Sequence, residues 1–391
     1  MSVEKAVNLD DLRILAKKRT PKLIYDFMEG GADDEDGLAK NEDAFRNRGL
    51  LPRYMVDVST LDQSTTVFGK TFASAFGVAP MGGVANYRWD GDLMLARAAK
   101  AANLPYILSG AATASMEDIA EIAGDNAWAQ IYTAKDRAIA HGQIERAREL
   151  GYPVLVITVD VPVGGNRERN KRNGFGRPLK LTMKTKLDAL RRPLWMRDYL
   201  KHGIAMLPNW QRFAPPGSDA NAVGDFVATQ LPNGSVTWDD IATFRDMWPG
   251  KLVIKGIMRV DDAERAASLG VDGLMVSNHG ARQLDRAPSP LDMLPRIDAA
   301  VGDRMTLMLD GGVRRGSDVA IALASGAKFL FLGRPLLYGA VAGGDAGAAK
   351  AMSILKGQIA NTMAQIGCPN LSEIGPDWLY DPDPIRRNTR A

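Results

Sequence analysis

The 391-residue chain has a single cysteine, Cys368, and only three histidines, His141, His202 and His279. One cysteine excludes an intrachain disulfide framework and a cysteine-rich zinc site. Three scattered histidines leave no basis for a histidine-rich metal centre. No run reaches the roughly 18 uninterrupted apolar residues of a membrane span. The opening segment MSVEKAVNLDDLRILAKKRT is charged throughout and lacks the apolar core of a signal peptide. A cytoplasmic location is therefore expected. Excess charge is also lacking: 49 Lys and Arg against 46 Asp and Glu give +3, too even for a nucleic-acid binder. The apolar fraction of 46% excludes a largely disordered chain.

What is present is a recurrent pattern of short apolar runs bounded by turn residues. They are Phe76–Gly82, Tyr106–Gly110, Ala127–Thr133, Val154–Asp160, Lys251–Ile257, Gly273–His279, Thr306–Gly312 and Phe329–Pro335. Such runs read as strands buried on both faces. Helical spacing separates them over Asp90–Asn103, Lys135–Leu150, Val260–Leu269 and Ser317–Ser325. Eight strands alternating with helices predict an α/β fold, the (β/α)8 TIM barrel, rather than an open doubly wound sheet. The expected organisation is one domain over 1–391. It has an N-terminal helical segment (1–50), a barrel (51–369) and a C-terminal tail (370–391). The stretch from Val161 to Gly250 exceeds an ordinary strand-to-helix connection, so 161–235 reads as an insertion or lid. A closing helix is predicted over Ser235–Met247, capped by Ser235 or Thr237.

Barrel chemistry sits at the carboxyl ends of strands. Six of the eight runs end in polar residues: Ser109, Gln130 with Tyr132, Asp160, Lys255, His279 and Asp310. The loops after the last two strands, LDGGVRRGSD and LGRP, place glycines beside Arg314 and Arg334 and read as a phosphate site. In SNHGARQLD, His279 titrates near neutrality and suits proton transfer, while Arg282 suits a carboxylate. Taken alone, His279 reads more often as a satisfied structural histidine. His141 and His202 carry no catalytic signal.

These motifs resemble, in order and over most of the chain, the FMN-dependent α-hydroxy acid oxidases and dehydrogenases. The likeness includes YDFMEGGADDE, FGVAPMG, QIYTAKDR, TVDVPVGGNRER, LVIKGI, SNHGARQLD, LDGGVRRGSD and LGRP. The tail motif QIGCPN is most similar to the bacterial mandelate dehydrogenase branch. The resemblance implies FMN as cofactor and a 2-hydroxy acid as substrate. It makes His279 the base, oriented by Asp160, and Arg167 with Arg282 the carboxylate clamp. It gives Tyr25 and Tyr132 hydroxyls that touch substrate, and sets Lys255 beside flavin N1. It places Ser109, Gln130, Thr158 and Ser277 around the flavin ring and the Ala79, Pro80, Met81, Gly82 backbone on its N5 side. Asp310, Gly311, Gly312, Arg314, Gly333 and Arg334 would hold the ribityl chain and phosphate. A homotetramer is also implied.

The departures from the family pattern are informative. Ala111 and Val163 replace a Trp and an Arg of plant-type glycolate oxidases and argue for a bulkier, more apolar substrate such as mandelate, with lactate second. Met81 replaces a Thr, and Ala281 a Gly. Gly82 replaces an alanine and argues for reoxidation by a quinone or other carrier more readily than by O2. Residues 180–212 interleave Lys and Arg with Leu, Met, Trp195 and Trp210. They read as a peripheral contact to the inner membrane face, or as a lid or subunit contact. The rival readings are an isopentenyl diphosphate isomerase-type FMN barrel and a non-enzymatic, membrane-associated flavin or phosphate binder.

Overall fold

The computed structural model describes residues 2–176 and 182–380, so Lys180 and the tail 381–391 lie outside the described residues. Eight strands close a parallel barrel. They are β1 (Phe76–Val78), β2 (Tyr106–Leu108), β3 (Ala127–Tyr132), β4 (Val154–Thr158), β5 (Lys251–Ile257), β6 (Gly273–Val276), β7 (Thr306–Asp310) and β8 (Phe329–Leu332). The order β7-β8-β1-β2-β3-β4-β5-β6 closes on itself, the (β/α)8 architecture. The strands read as near-continuous apolar runs because helices cover their outer faces. Trp128 of β3 packs against Phe331 of β8, with ring centroids 5.1 Å apart, and fills the interior.

Strand pairing stops short of the polar ends. β6 ends at Val276, and His279, Gly280 and Ala281 follow with φ of 59°, 61° and 59°. β7 ends at Asp310, before Gly311 (φ 93°) and Gly312 (φ 84°). Positive φ breaks the ladder and turns the chain across the barrel mouth. Register then fixes neighbours: Thr158 lies opposite Lys255 across the β4–β5 pair. At Gly256, with φ of 110°, a Cβ would lie 2.6 Å from the Cβ of Asp160, so only glycine lets that aspartate sit there.

Three helices precede the barrel: Leu9–Arg19, Lys22–Glu29 and Asp36–Arg46. The stretch between β4 and β5 folds as further short helices, ending in Trp238–Met247. Thr237 is the N-cap of that last helix, its N–H donating to Asp240 at 2.9 Å, so Ser235 lies outside it. The insertion does not present all its apolar residues to solvent. Trp210 is fully buried in a small cluster with Ala134, Ile139, Ala214 and Val223, and its Nε1 donates to the Gly110 carbonyl at 2.6 Å. Trp195 is half-buried and donates to the Asn86 carbonyl at 2.8 Å. Both tryptophans, expected among exposed docking residues, are instead anchors, because each indole N–H finds a backbone acceptor inside. Among the described residues no helix is long and apolar enough to cross a membrane.

Replacing Trp210 with alanine should therefore lower stability by about 3–5 kcal/mol, read from urea unfolding. An unchanged midpoint would show that the insertion is not anchored there.

Candidate active site

The carboxyl ends of the strands open into a cavity of about 1540 Å³. Its lining includes Ala79, Pro80, Met81, Gly82, Tyr132, Thr158, Arg167, Lys255, His279 and Arg282. Asp310, Gly311, Gly312, Arg314, Gly333 and Arg334 line it as well. Sixteen of the residues expected at the site thus face one space.

The charges at its base form a chain. His279 Nδ1 lies 2.8 Å from Asp160 Oδ1. Lys255 Nζ lies 3.2 Å from Asp310 Oδ2 and 3.9 Å from Asp160 Oδ2. Ser277 joins the two halves: its Oγ accepts from Lys255 Nζ at 2.8 Å and from the His279 N–H at 3.0 Å. Burial opposes the charge of Asp160, but His279 and Lys255 outweigh it and hold the carboxyl below its ordinary range. Burial also opposes the charge of Lys255, yet Asp310 and Asp160 keep the ammonium protonated above its ordinary range. For His279 burial prevails: with Lys255 and Arg167 nearby, the imidazole titrates below 6.5 although Asp160 pulls it up. A neutral imidazole whose Nδ1 is held by a carboxylate is poised to take a proton on Nε2.

Three arginines face the same space without a carboxylate partner among the described residues. Arg167 donates to the Arg282 carbonyl and to Gln283. Arg282 donates to the carbonyls of Phe27 and Gly30, and Arg334 to those of Met28, Gly280 and Gly30. The two thereby cap the carboxyl end of helix Lys22–Glu29. Burial first, then the neighbouring guanidiniums, pull Arg282 and Arg334 down to about 10. Clustered cations whose partners are all neutral define an anion site. Arg314 is the exception, 3.2 Å from Glu42.

Some expected residues stand behind the cavity wall. Ser109, Gln130 and Ser277 are buried. Gln130 accepts from the Gly110 N–H at 3.0 Å and donates to the Ile131 carbonyl at 2.8 Å, so its amide is committed to the backbone. Ser109 accepts from the Ala111 N–H. Tyr25 departs from expectation. It does not line the cavity; its hydroxyl has no partner among the described residues. Burial and Glu29 push it up to about 12. Two helical residues apart means about 200° of rotation, so Phe27 rather than Tyr25 faces the site. Val163 is 66% exposed and outside the lining, whereas Ala111 is part of it. His202 stacks on Trp89 with centroids 4.2 Å apart, and His141 meets Phe244 edge-on.

Two supports carry little signal in the sequence. Asn41 and Asn278 exchange a reciprocal amide pair at 2.8 and 2.9 Å, and Asn278 Oδ1 also accepts from the Ala281 N–H at 3.1 Å. They hold the left-handed His279–Ala281 turn, whose non-glycine members are strained. Only the three-residue spacing from Asn278 to Ala281 hinted at this.

The site is a barrel mouth with a cation cluster, a pair of glycine–arginine loops and a carboxylate-oriented histidine. The family model for FMN-dependent dehydrogenases matches residues 16–381. The (S)-mandelate dehydrogenase of Pseudomonas putida is 39% identical over 375 residues, 96% of this chain and 94% of that protein. The L-lactate oxidase of Nostoc is 37% identical over 385 residues, 97% of this chain and 99% of that protein. A crystal structure of the monotopic membrane protein (S)-mandelate dehydrogenase superposes with a TM-score of 0.92 at 39% identity, covering 96% and 99% of the two chains. The chain belongs to the FMN-dependent dehydrogenase family. It is an FMN-dependent oxidoreductase of the hydroxy acid dehydrogenase and oxidase group. The residues fit that cofactor: buried Thr158 Oγ1 and Asp310 Oδ1 lack partners among the described residues and wait beside Lys255, while Arg314 and Arg334 flank the glycine loops.

Because the chain has three histidines, ring-labelled protein gives three histidine titrations by NMR. His279 should titrate below 6.5. Asp160→Asn removes a raising charge and should move it lower; Lys255→Met removes a lowering charge and should move it higher. Shifts of the same sign in both variants would contradict the charge chain.

Proposed function

We propose that the protein oxidises an (S)-2-hydroxy acid with an aryl 2-substituent, mandelate or a near analogue, to the 2-oxo acid. The observation that carries this is the junction of His279–Asp160 with Arg167 and Arg282, which have no carboxylate partner among the described residues, in one cavity. FMN, when bound, supplies the two-electron oxidation. Arg167 and Arg282 bind the substrate carboxylate, and forked guanidiniums orient it. His279 takes the substrate proton on Nε2, and Asp160 stabilises the resulting imidazolium. Tyr132 lines the same cavity, its hydroxyl kept protonated by burial. Gly311, Gly312, Gly333, Arg314 and Arg334 hold the phosphate, and Lys255 with Thr158 holds the ring side.

Support for an aryl substrate comes from the apolar part of the same lining, where Leu23, Ile24, Phe27, Ala111 and Phe175 offer surface. Gly82 supports a carrier as electron acceptor over O2. A Cβ there would lie 3.0 Å from that of Ala111, so the position is tight. The insertion supports contact with an anionic bilayer. Met183, Leu187 and Leu190 follow helical spacing on one helix, Leu194 and Leu200 lie on the next, and Ile204 follows; all are 45–75% exposed. Lys184, Lys186, Arg191, Arg197 and Lys201 stand exposed among them. A homotetramer is proposed from family resemblance alone.

An anaerobic panel of glycolate, lactate, 2-hydroxyoctanoate and mandelate should bleach the flavin fastest with mandelate. His279→Gln should retain FMN but slow bleaching by about 10²–10⁴-fold; normal reduction would refute the base assignment. Mixing the substrate-reduced enzyme with air-saturated buffer should reoxidise it more slowly than turnover with a quinone. Reoxidation by air as fast as turnover rules out the dehydrogenase reading. Flotation with phosphatidylglycerol vesicles should be lost in Leu187→Asp/Leu200→Asp, and retention by that variant would exclude docking through this face.

A further inference from the structure

The helix Lys22–Glu29 turns only apolar side chains, Leu23, Ile24, Phe27 and Met28, toward the cavity. No hydroxyl from that helix reaches the substrate side. Tyr87, on the loop after β1, occupies the neighbouring position. Its ring stacks on Phe27, with centroids 5.9 Å apart and planes 19° apart, and Phe27 stacks in turn on Phe175 at 4.2 Å. The guanidinium carbon of Arg282 lies 5.1 Å from the Phe27 ring centre. Tyr87 is 4% exposed and lines the cavity. The charges acting on its hydroxyl are those of Arg282, Arg167 and Arg334, and no group among the described residues hydrogen-bonds it. A buried phenol normally finds a partner. This one is open to the cavity and faces the cations that await a carboxylate.

We infer that Tyr87 is a substrate-binding residue whose hydroxyl donates to the carboxylate held by Arg167 and Arg282. This rests on the hydroxy acid reading above. Burial outweighs the three arginines and pushes the phenol up to about 12, so it keeps its proton at working pH and can donate. The stacked ring fixes the hydroxyl without flexible torsions, and the backbone is fixed where Tyr87 N–H donates to the Val84 carbonyl at 3.0 Å. Phe27 supplies the flat, apolar neighbour and no hydrogen bond.

The test uses the oxidised holoenzyme, with phenylglyoxylate and its uncharged methyl ester as probes, binding being read from perturbation of the flavin spectrum. Tyr87→Phe keeps the stacked ring. It should weaken phenylglyoxylate binding about tenfold or more, the scale of a hydrogen bond to a charged acceptor. Ester binding and FMN content should stay near wild type. Adding Phe27→Tyr, which moves a hydroxyl onto the adjacent ring, should recover part of the lost affinity. Wild-type affinity in Tyr87→Phe, or equal weakening of acid and ester, overturns the assignment. If no 2-hydroxy acid bleaches the wild-type flavin, the hydroxy acid reading itself fails, and that is seen before any Tyr87 variant is made.

Discussion

Lys255 is 4% exposed, and its ammonium sits between two carboxylates at the floor of the barrel mouth. A lone buried charge costs several kcal/mol, so it survives only if its partners are held within a few ångströms. Three strands supply that geometry: β5 carries Lys255, β7 ends in Asp310, and Asp160 lies just beyond β4. Gly256 makes room for Asp160, and Ser277 links the lysine to the backbone of His279. The charge states of the whole mouth follow. Asp160 stays ionised because Lys255 and His279 are near, and His279 stays neutral because burial and Lys255 outweigh the single carboxylate.

Charge balance then selects the ligands. At the barrel mouth Arg167, Arg282, Arg334 and Lys255 line the cavity beside Asp310, with Asp160 behind Lys255 and outside the lining, and among the described residues every hydrogen bond from the three arginines ends on a neutral group. Such a cluster is stabilised by anions; under the proposed function these are a phosphate at the glycine loops and a carboxylate beside His279. The arginines are also structural, since Arg282 and Arg334 satisfy the last carbonyls of helix Lys22–Glu29. The N-terminal segment is thus tied to the barrel by two arginines that also line the cavity.

The barrel was legible because strands buried on both faces leave unbroken apolar runs, and because a polar residue closing such a run has no role in packing. The positions of His279, Asp160, Lys255, Arg167 and Arg282 follow from that rule together with the family motifs. Rotation about a helix was less legible. In YDFMEGG the tyrosine attracts attention by its chemistry, yet the phase of helix Lys22–Glu29 carries Phe27 into the cavity and Tyr25 away from it. Tyr87 is not legible in the sequence for the converse reason. It stands in a loop with no periodicity, and its importance comes from three arginines brought beside it from 167, 282 and 334. Interleaved basic and apolar residues in the insertion likewise do not say which indoles turn inward; that depends on the carbonyls of Gly110 and Asn86, far off in sequence.

The Asn41–Asn278 pair extends this point to the turn that carries His279. His279 and Ala281 are held at positive φ, a conformation that costs about 1–3 kcal/mol for each non-glycine residue. The compensation comes from a helix more than 200 residues earlier in the chain, through a reciprocal amide pair in a buried setting where unmade hydrogen bonds are costly. A side chain on the N-terminal helix Asp36–Arg46 therefore fixes the direction in which the imidazole leaves the backbone. Barrel, N-terminal segment and the His279–Ala281 turn are interdependent: the barrel sets the charges, the segment sets the turn, and Arg282 and Arg334 of the cavity hold the segment down.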